Sequence, residues 1–217
     1  MVLLILEYWD TFSFNGEFGQ CDLIQHDIFT TPNPPINQRV RPVNPALEPN
    51  LRRQIDEWLD QKVIEPSSSP WNFALVPVAK KNGKTRWCVD YRPLNAITLK
   101  DPHPLGTIDD NLARLSRSKY FSTCDGAGAF HVINLSPTAK LKTAFSTPWG
   151  HFQFRRLPFG LANGPATYAR LVHLVLRGIP QSVAIPYLDD TIVHSRTIPE
   201  HFHGPVSYTH LTLPTKA

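Results

Sequence analysis

At 217 residues the chain is long enough to bury a core and too long to be a peptide or a linker. Its 22 Lys and Arg against 18 Asp and Glu leave a formal charge of +4, which permits a polyanionic partner without requiring one. Three widely spaced cysteines, Cys21, Cys88 and Cys124, argue against a disulfide framework or a zinc site and fit a reducing, intracellular compartment.

The opening "MVLLILEYWD" is interrupted at Glu7 and has no basic lead. It is too short for a membrane span and poor as a signal peptide, so it reads as the first turns of a helix, with an extended segment up to residue 30. The prolines of "TPNPPINQRVRPVNP" forbid regular helix or central strand and predict an extended connector, which closes a first region at 1–45. Leu51, Ile55, Leu59 and Val63 recur four apart and predict an amphipathic helix that stops near Pro66. Around Lys81-Asn82-Gly83-Lys84, "FALVPVA" and "TRWCVDY" read as two strands of a hairpin with a basic tip, because Asn-Gly favours tight turns.

"TIDDNLARL" looks like a helix start, with Asp109 and Asp110 in the first turn where the helix dipole favours acids. This Asp pair is therefore read as structural. "KYFSTCDGAGAFHVINL" is a β-rich run in which Asp125 is followed by small residues as far as Phe130, so the backbone there is open to close approach. Two strands joined by a turn at Pro148-Trp149-Gly150 follow, and then an amphipathic helix, "ATYARLVHLVLRG", ending at Gly178. "AIPYLDDTIVHS" closes the series as a hairpin with Asp189 and Asp190 at its tip. Interleaved strands and helices predict an α+β fold with a mainly antiparallel sheet flanked by helices.

Asp125, Asp189 and Asp190 are the hard oxygen ligands that Mg²⁺ prefers, although an Asp-Asp pair in a turn is also what a plain solvated loop would carry. Lys80 and Arg86 suit a polyphosphate, or they are ordinary solvated surface. Phe130 could be a core residue, and "LPFGLANGP" an ordinary turn. The "HFH" at 201–203 is weak as a metal site, since two His lack further ligands.

Four collinear fragments carry a wider resemblance. "VIEPSSSPWNFALVPVAKKNGKTRWCVDYRPLNAITLKDPHPL", "KYFSTCD", "KTAFSTPWGHFQFRRLPFGLANGPATY" and "YLDDTIVHSRTIPEH" resemble, in order and spacing, the reverse transcriptase of gypsy-type LTR retrotransposons. The resemblance implies a polymerase fingers and palm over residues 46–204, acting as an RNA- and DNA-templated DNA polymerase. Asp125, Asp189 and Asp190 would be its catalytic and metal-holding carboxylates, with two Mg²⁺ ions and Mn²⁺ able to substitute. Lys80 and Arg86 would grip the incoming triphosphate, Phe130 would lie under the sugar and exclude a 2′-hydroxyl, and Phe159 and Gly160 would sit nearest the nucleotide. Arg92, Tyr187 and Leu188 would lie on the template and primer side, although Arg92 could equally be an ion-pair partner of Asp90.

Implied partners are a primed RNA or DNA template and dNTPs, in a cytoplasmic retrotransposon particle and with no membrane. The sequence departs from the family at Gly126 to Ala129, where an apolar residue and a Ser-Gly pair are usual, and at Gly164 and Ala169, where Ala and Gln are expected. The family continues past the hairpin into the rest of the palm, a thumb, a connection and an RNase H. Residues 205–217 have no counterpart there and resemble the conceptual translation of a transposase adapter used in sequencing libraries. They are expected to be an unrelated tail, the alternative being a disordered, Thr-rich natural terminus. The alternative function is a catalytically dead remnant that binds nucleic acid through its basic fingers.

Overall fold

The computed structural model describes residues 19–79, 83, 85–104, 107–126, 128–177, 180, 182–187 and 190–201. The expected N-terminal helix and the tail at 205–217 therefore lie outside the described residues, as do Lys80, Leu188 and Asp189. In chain order the elements are β1 (Cys21–His26), α1 (Glu48–Asp60), β2 (Ile64–Pro66), β3 (Leu75–Ala79), β4 (Thr85–Val89), α2 (Arg92–Ile97), α3 (Ile108–Leu115) and β5 (Tyr120–Asp125). A 3₁₀ turn (Ala129–Val132) leads to β6 (Ile133–Leu135), α4 (Pro137–Leu141), β7 (Phe145–Thr147), β8 (Gly150–Phe154), α5 (Gly164–Val175), β9 (Ala184–Tyr187) and β10 (Asp190–Ser195).

Two compact units share these elements. One comprises Met1–Leu23, Pro102–Val132 and Pro165–Ala217, the other Ile24–Asp101 and Ile133–Gly164. The first is built on a three-stranded sheet of order β5-β10-β9, antiparallel throughout. Val193 of β10 and Ala184 of β9 are buried with Leu176 just past α5, and Val172 and Cys124 pack against them. Burial holds the Cys124 thiol above its ordinary pKa, so it behaves as a core residue. At the start of α3, Thr107 accepts from the Asp110 N–H and its hydroxyl bonds the Asp110 carboxylate, which makes Asp109 and Asp110 first-turn residues as expected.

The second unit holds the antiparallel β2-β8-β7 sheet and the β3–β4 hairpin. Its core is aromatic: Phe145 packs on Phe154 with ring centroids 5.4 Å apart, Trp58 meets Phe154 at 5.4 Å, and Phe73 meets Tyr91 at 5.4 Å. Tyr91 donates its hydroxyl to the Thr143 carbonyl at 2.9 Å, so its polar end is satisfied although it is fully buried. The proline-rich connector carries no helix or named strand over 31–44. It is pinned where Asn72 accepts from the Gln38 N–H, donates its own N–H to Ile36, and sends its side-chain amide to the Gln38 carbonyl.

Helix α1 buries Leu51 and Ile55 as the spacing predicts, but it ends at Asp60, short of Val63. Lys62 adopts φ 55°, the Lys62 N–H bonds the Leu59 carbonyl, and the Val63 N–H bonds the Trp58 carbonyl. This is a Schellman-type stop built on a non-glycine residue, and it turns Val63 back into the core. The same helix holds the β3–β4 hairpin through Gln54, whose amide accepts from the Trp87 N–H and donates to its carbonyl.

His26, at the end of β1, is buried, and that burial lowers its pKa to about 4 against the opposing pull of Asp27 and Asp101. Because the folded pKa lies below the unfolded one, protonation favours unfolding. Stability should therefore fall as pH drops from 6.5 towards about 4, by about 3 kcal/mol for this group alone. Replacing His26 with Gln, neutral throughout, should flatten that part of the profile in urea unfolding at pH 7 and pH 4.5. An unchanged difference between the two proteins across that range would contradict the assignment.

Candidate active site

Strand β10 lies between β5 and β9, and its register sets Asp190 opposite Asp125 on one side and Tyr187 on the other. β9 ends at Tyr187 and β10 begins at Asp190, so Asp190 is the first strand residue rather than part of the tip. Along β10, Thr191, Val193 and Ser195 are buried while Asp190 is exposed. Alternation does this: Val193 turns to the α5-packed side, so Asp190 falls on the opposite face. For Asp125 the description covers the backbone, whose Cα is the direct partner of the Asp190 Cα. Opposed residues of an antiparallel pair have Cβ atoms about 4.5–5.5 Å apart.

Phe130 belongs to the same unit. It sits half-buried in the 3₁₀ turn after β5, its ring 5.4 Å from that of Tyr168 on α5. Gly128 precedes it at φ 61°, a conformation a side chain rarely adopts, and the turn is closed by the Ala129 N–H to Gly126 and the His131 N–H to Gly128. Gly128 and Ala129, two of the residues that depart from the family, thus lead directly into the 3₁₀ turn that carries Phe130.

The remaining candidates belong to the second unit. Arg86, on β4, lies with its guanidinium 5.7 Å from the centroid of the Phe159 ring, a cation–π contact that aligns two of them. Gly160 follows at φ 92°, so a side chain there would be strained. Asn95, which sequence reasoning passed over, holds this loop: its amide donates to the Gly160 carbonyl at 2.8 Å and accepts from the Ala162 N–H at 2.9 Å. Nothing local marks it, because its partners lie 65 and 67 positions away.

Arg92 proves to be the partner of Asp90. Its Nε and Nη2 donate to the two carboxylate oxygens at 2.8 and 2.6 Å. The Arg92 hydrogen bond holds the Asp90 carboxyl below its ordinary pKa. With Asp90 7% exposed and Arg92 83% exposed, the carboxylate is the anchored end and the outer face of the guanidinium remains in solvent.

Two acidic residues at directly opposed backbone positions of neighbouring strands, with Asp190 exposed, suit a divalent cation in charge and ligand type. Among the described residues no three His, Cys, Asp or Glu side chains gather as a metal cluster; Asp189 and the Asp125 side chain lie outside them. Among the described residues no helix is long and apolar enough to cross a membrane.

Two strands bearing Asp125 and Asp190 on a helix-backed antiparallel sheet in one unit, and an arginine-bearing hairpin in the other, are the elements of the palm and fingers class of template-directed polymerases. The chain belongs to the reverse transcriptase family: the profile described as "Reverse transcriptase (RNA-dependent DNA polymerase)" matches residues 78–211. It is 38% identical to the retrovirus-related Pol polyprotein from transposon 297 of Drosophila melanogaster, over 83% of this chain and 18% of that polyprotein. To the corresponding polyprotein from transposon gypsy of the same species it is 33% identical, over 80% of this chain and 17% of the relative. Among solved structures, a prototype foamy virus protease-reverse transcriptase matches with TM-score 0.89 and 28% identity, covering 99% of this chain and 29% of that one. A foamy viral protease-reverse transcriptase in complex with RNA/DNA hybrid matches with TM-score 0.85 and 27% identity, over 97% and 28% of the two chains. The chain thus spans less than a third of the length of these relatives.

Replacing Asn95 with Ala removes both loop bonds and should cost about 1–3 kcal/mol in urea unfolding. It should also speed hydrogen exchange at the Ala162 amide. Unaltered exchange there would show that the loop is held by something else.

Proposed function

We propose that this chain is the nucleotidyl-transferring fingers and palm of a retrotransposon polyprotein, extending a primer 3′-hydroxyl with dNTPs on an RNA or DNA template. The observation that supports the reading is the register pairing Asp190 with Asp125, because it sets the backbone positions of two acidic residues 65 apart in sequence (190 minus 125) directly opposite one another. With Asp189 they would hold two Mg²⁺ ions, which when bound activate the attacking hydroxyl and stabilise the leaving pyrophosphate.

The chain's own residues supply the rest. Arg86, steadied by Phe159, and Lys80 would bind the triphosphate as fork and point charge. Phe130, backed by Tyr168, would occupy the volume a ribose 2′-hydroxyl needs and so select deoxynucleotides by exclusion. Arg92, ion-paired on one side only, keeps an outer donor face for template phosphate. The foamy viral relative bound to RNA/DNA hybrid supports a primed template as the partner. A cytoplasmic retrotransposon particle is the setting this function implies.

The departure from the family pattern at Gly126 to Ala129, directly after Asp125, favours a second reading, in which the chain binds nucleic acid without turnover. Primer extension on a primed RNA template separates the two. The catalytic reading expects Mg²⁺-dependent dNTP incorporation, a loss of at least about a hundredfold in Asp190→Asn with template binding retained, and greater rNTP use in Phe130→Val. Hybrid binding without any incorporation would leave the second reading standing.

A further inference from the structure

At the far end of β5 and β10 from the carboxylates lies a cavity of about 560 Å³, wholly within the first unit. Its position follows from the register. Ser195 pairs with Tyr120 where Asp190 pairs with Asp125, five residues along each strand, or roughly 17 Å at strand rise. Its size is that of a small-ligand site.

The lining combines apolar surface with several hydrogen-bond donors. Arg114 and Arg117 come from the end of α3 and the turn after it, and Arg196 from the residue after β10. Among the described residues neither Arg117 nor Arg196 has a side-chain ion pair. Ser118 and Ser182 add hydroxyls. Buried His194 bonds Ser118 through Nδ1 at 2.8 Å, which fixes the wall between the arginines. Glu200 is the one acid of the lining, and one of its carboxylate oxygens accepts the Arg196 backbone N–H. Arg117 and Arg196 against Glu200 leave a local excess of positive charge in a concave site.

The geometry points to a second ligand site, separate from the polymerase centre, that takes the phosphate group of a small phosphorylated molecule of nucleotide size. Guanidinium forks match phosphate oxygens bidentately, and serine hydroxyls complete such a shell. The volume is sufficient for a mononucleotide, so the open cavity can seat both the phosphate and the body it carries.

Calorimetric titration of the chain in EDTA, which keeps divalent ions away from Asp125 and Asp190, tests this with AMP, inorganic pyrophosphate and a short single-stranded oligonucleotide. AMP and pyrophosphate should bind, and the Arg117→Ala/Arg196→Ala variant should lose at least about tenfold in affinity. Glu200→Gln should bind more tightly, a gain that misfolding cannot imitate, and Asp190→Asn should bind as the parent does. Absence of binding would overturn the proposal. So would binding of the oligonucleotide alone, or binding that survives the double Arg variant and is lost in Arg86→Ala, which would assign it to the triphosphate grip.

Discussion

The antiparallel register of β5 with β10 is the constraint on which the rest of the site depends. Side chains alternate along a strand, so a shift of one residue would turn Asp190 towards the face packed by α5 and take Val193 away from Leu176 and Ala184. That exchange would bury a carboxylate without a partner and remove a core residue from its packing, two penalties of the same sign. Burial of Val193 and Ala184 beside Leu176 therefore fixes where the acid stands, and hydrophobic packing on one face of the sheet sets the geometry of the other. The two-residue connection between Tyr187 and Asp190 leaves little slack for any other pairing.

The second unit solves a different problem, which is to hold basic and aromatic side chains at the ends of short strands and loops. Its buried aromatic cluster gives the rigidity, and polar side chains transmit it outwards: Gln54 to the hairpin bearing Arg86, and Asn95 to the loop bearing Phe159 and Gly160. In each case an amide side chain acts as donor and acceptor to backbone, satisfying groups that no strand pairing reaches. The loop in turn places the Phe159 ring beside Arg86, so the two candidate nucleotide contacts brace each other. Both units use the same economy of means, with apolar packing defining position and a few directed hydrogen bonds fixing the exposed parts.

Much of this was legible in the residues. The four-residue spacing of Leu51 and Ile55, the Asn-Gly between two strand-like runs, and Thr107 ahead of an Asp pair each state a local preference that the fold obeys. Resemblance to the family reached further, because no local rule says that Asp125 and Asp190 should meet. What escaped was non-local or unusual. Helix α1 stops at Asp60 because Lys62 takes a left-handed conformation that glycine would have announced and lysine does not. Asn95 looked like any polar helix residue until its loop partners, more than 60 positions on, were in place. The cluster around Arg117, Ser118 and Arg196 is likewise assembled from segments far apart in the chain, with no motif of its own.

The central claim is that Asp125 and Asp190 hold a divalent cation jointly, and paramagnetic resonance titration of Mn²⁺ on the parent chain, Asp125→Asn, Asp190→Asn and the double variant tests it most directly. A shared site requires each single change to weaken Mn²⁺ binding by at least about tenfold and the double change to add little to the worse of the two. Equal affinity in all four proteins, or losses that simply add as for independent sites, would contradict it.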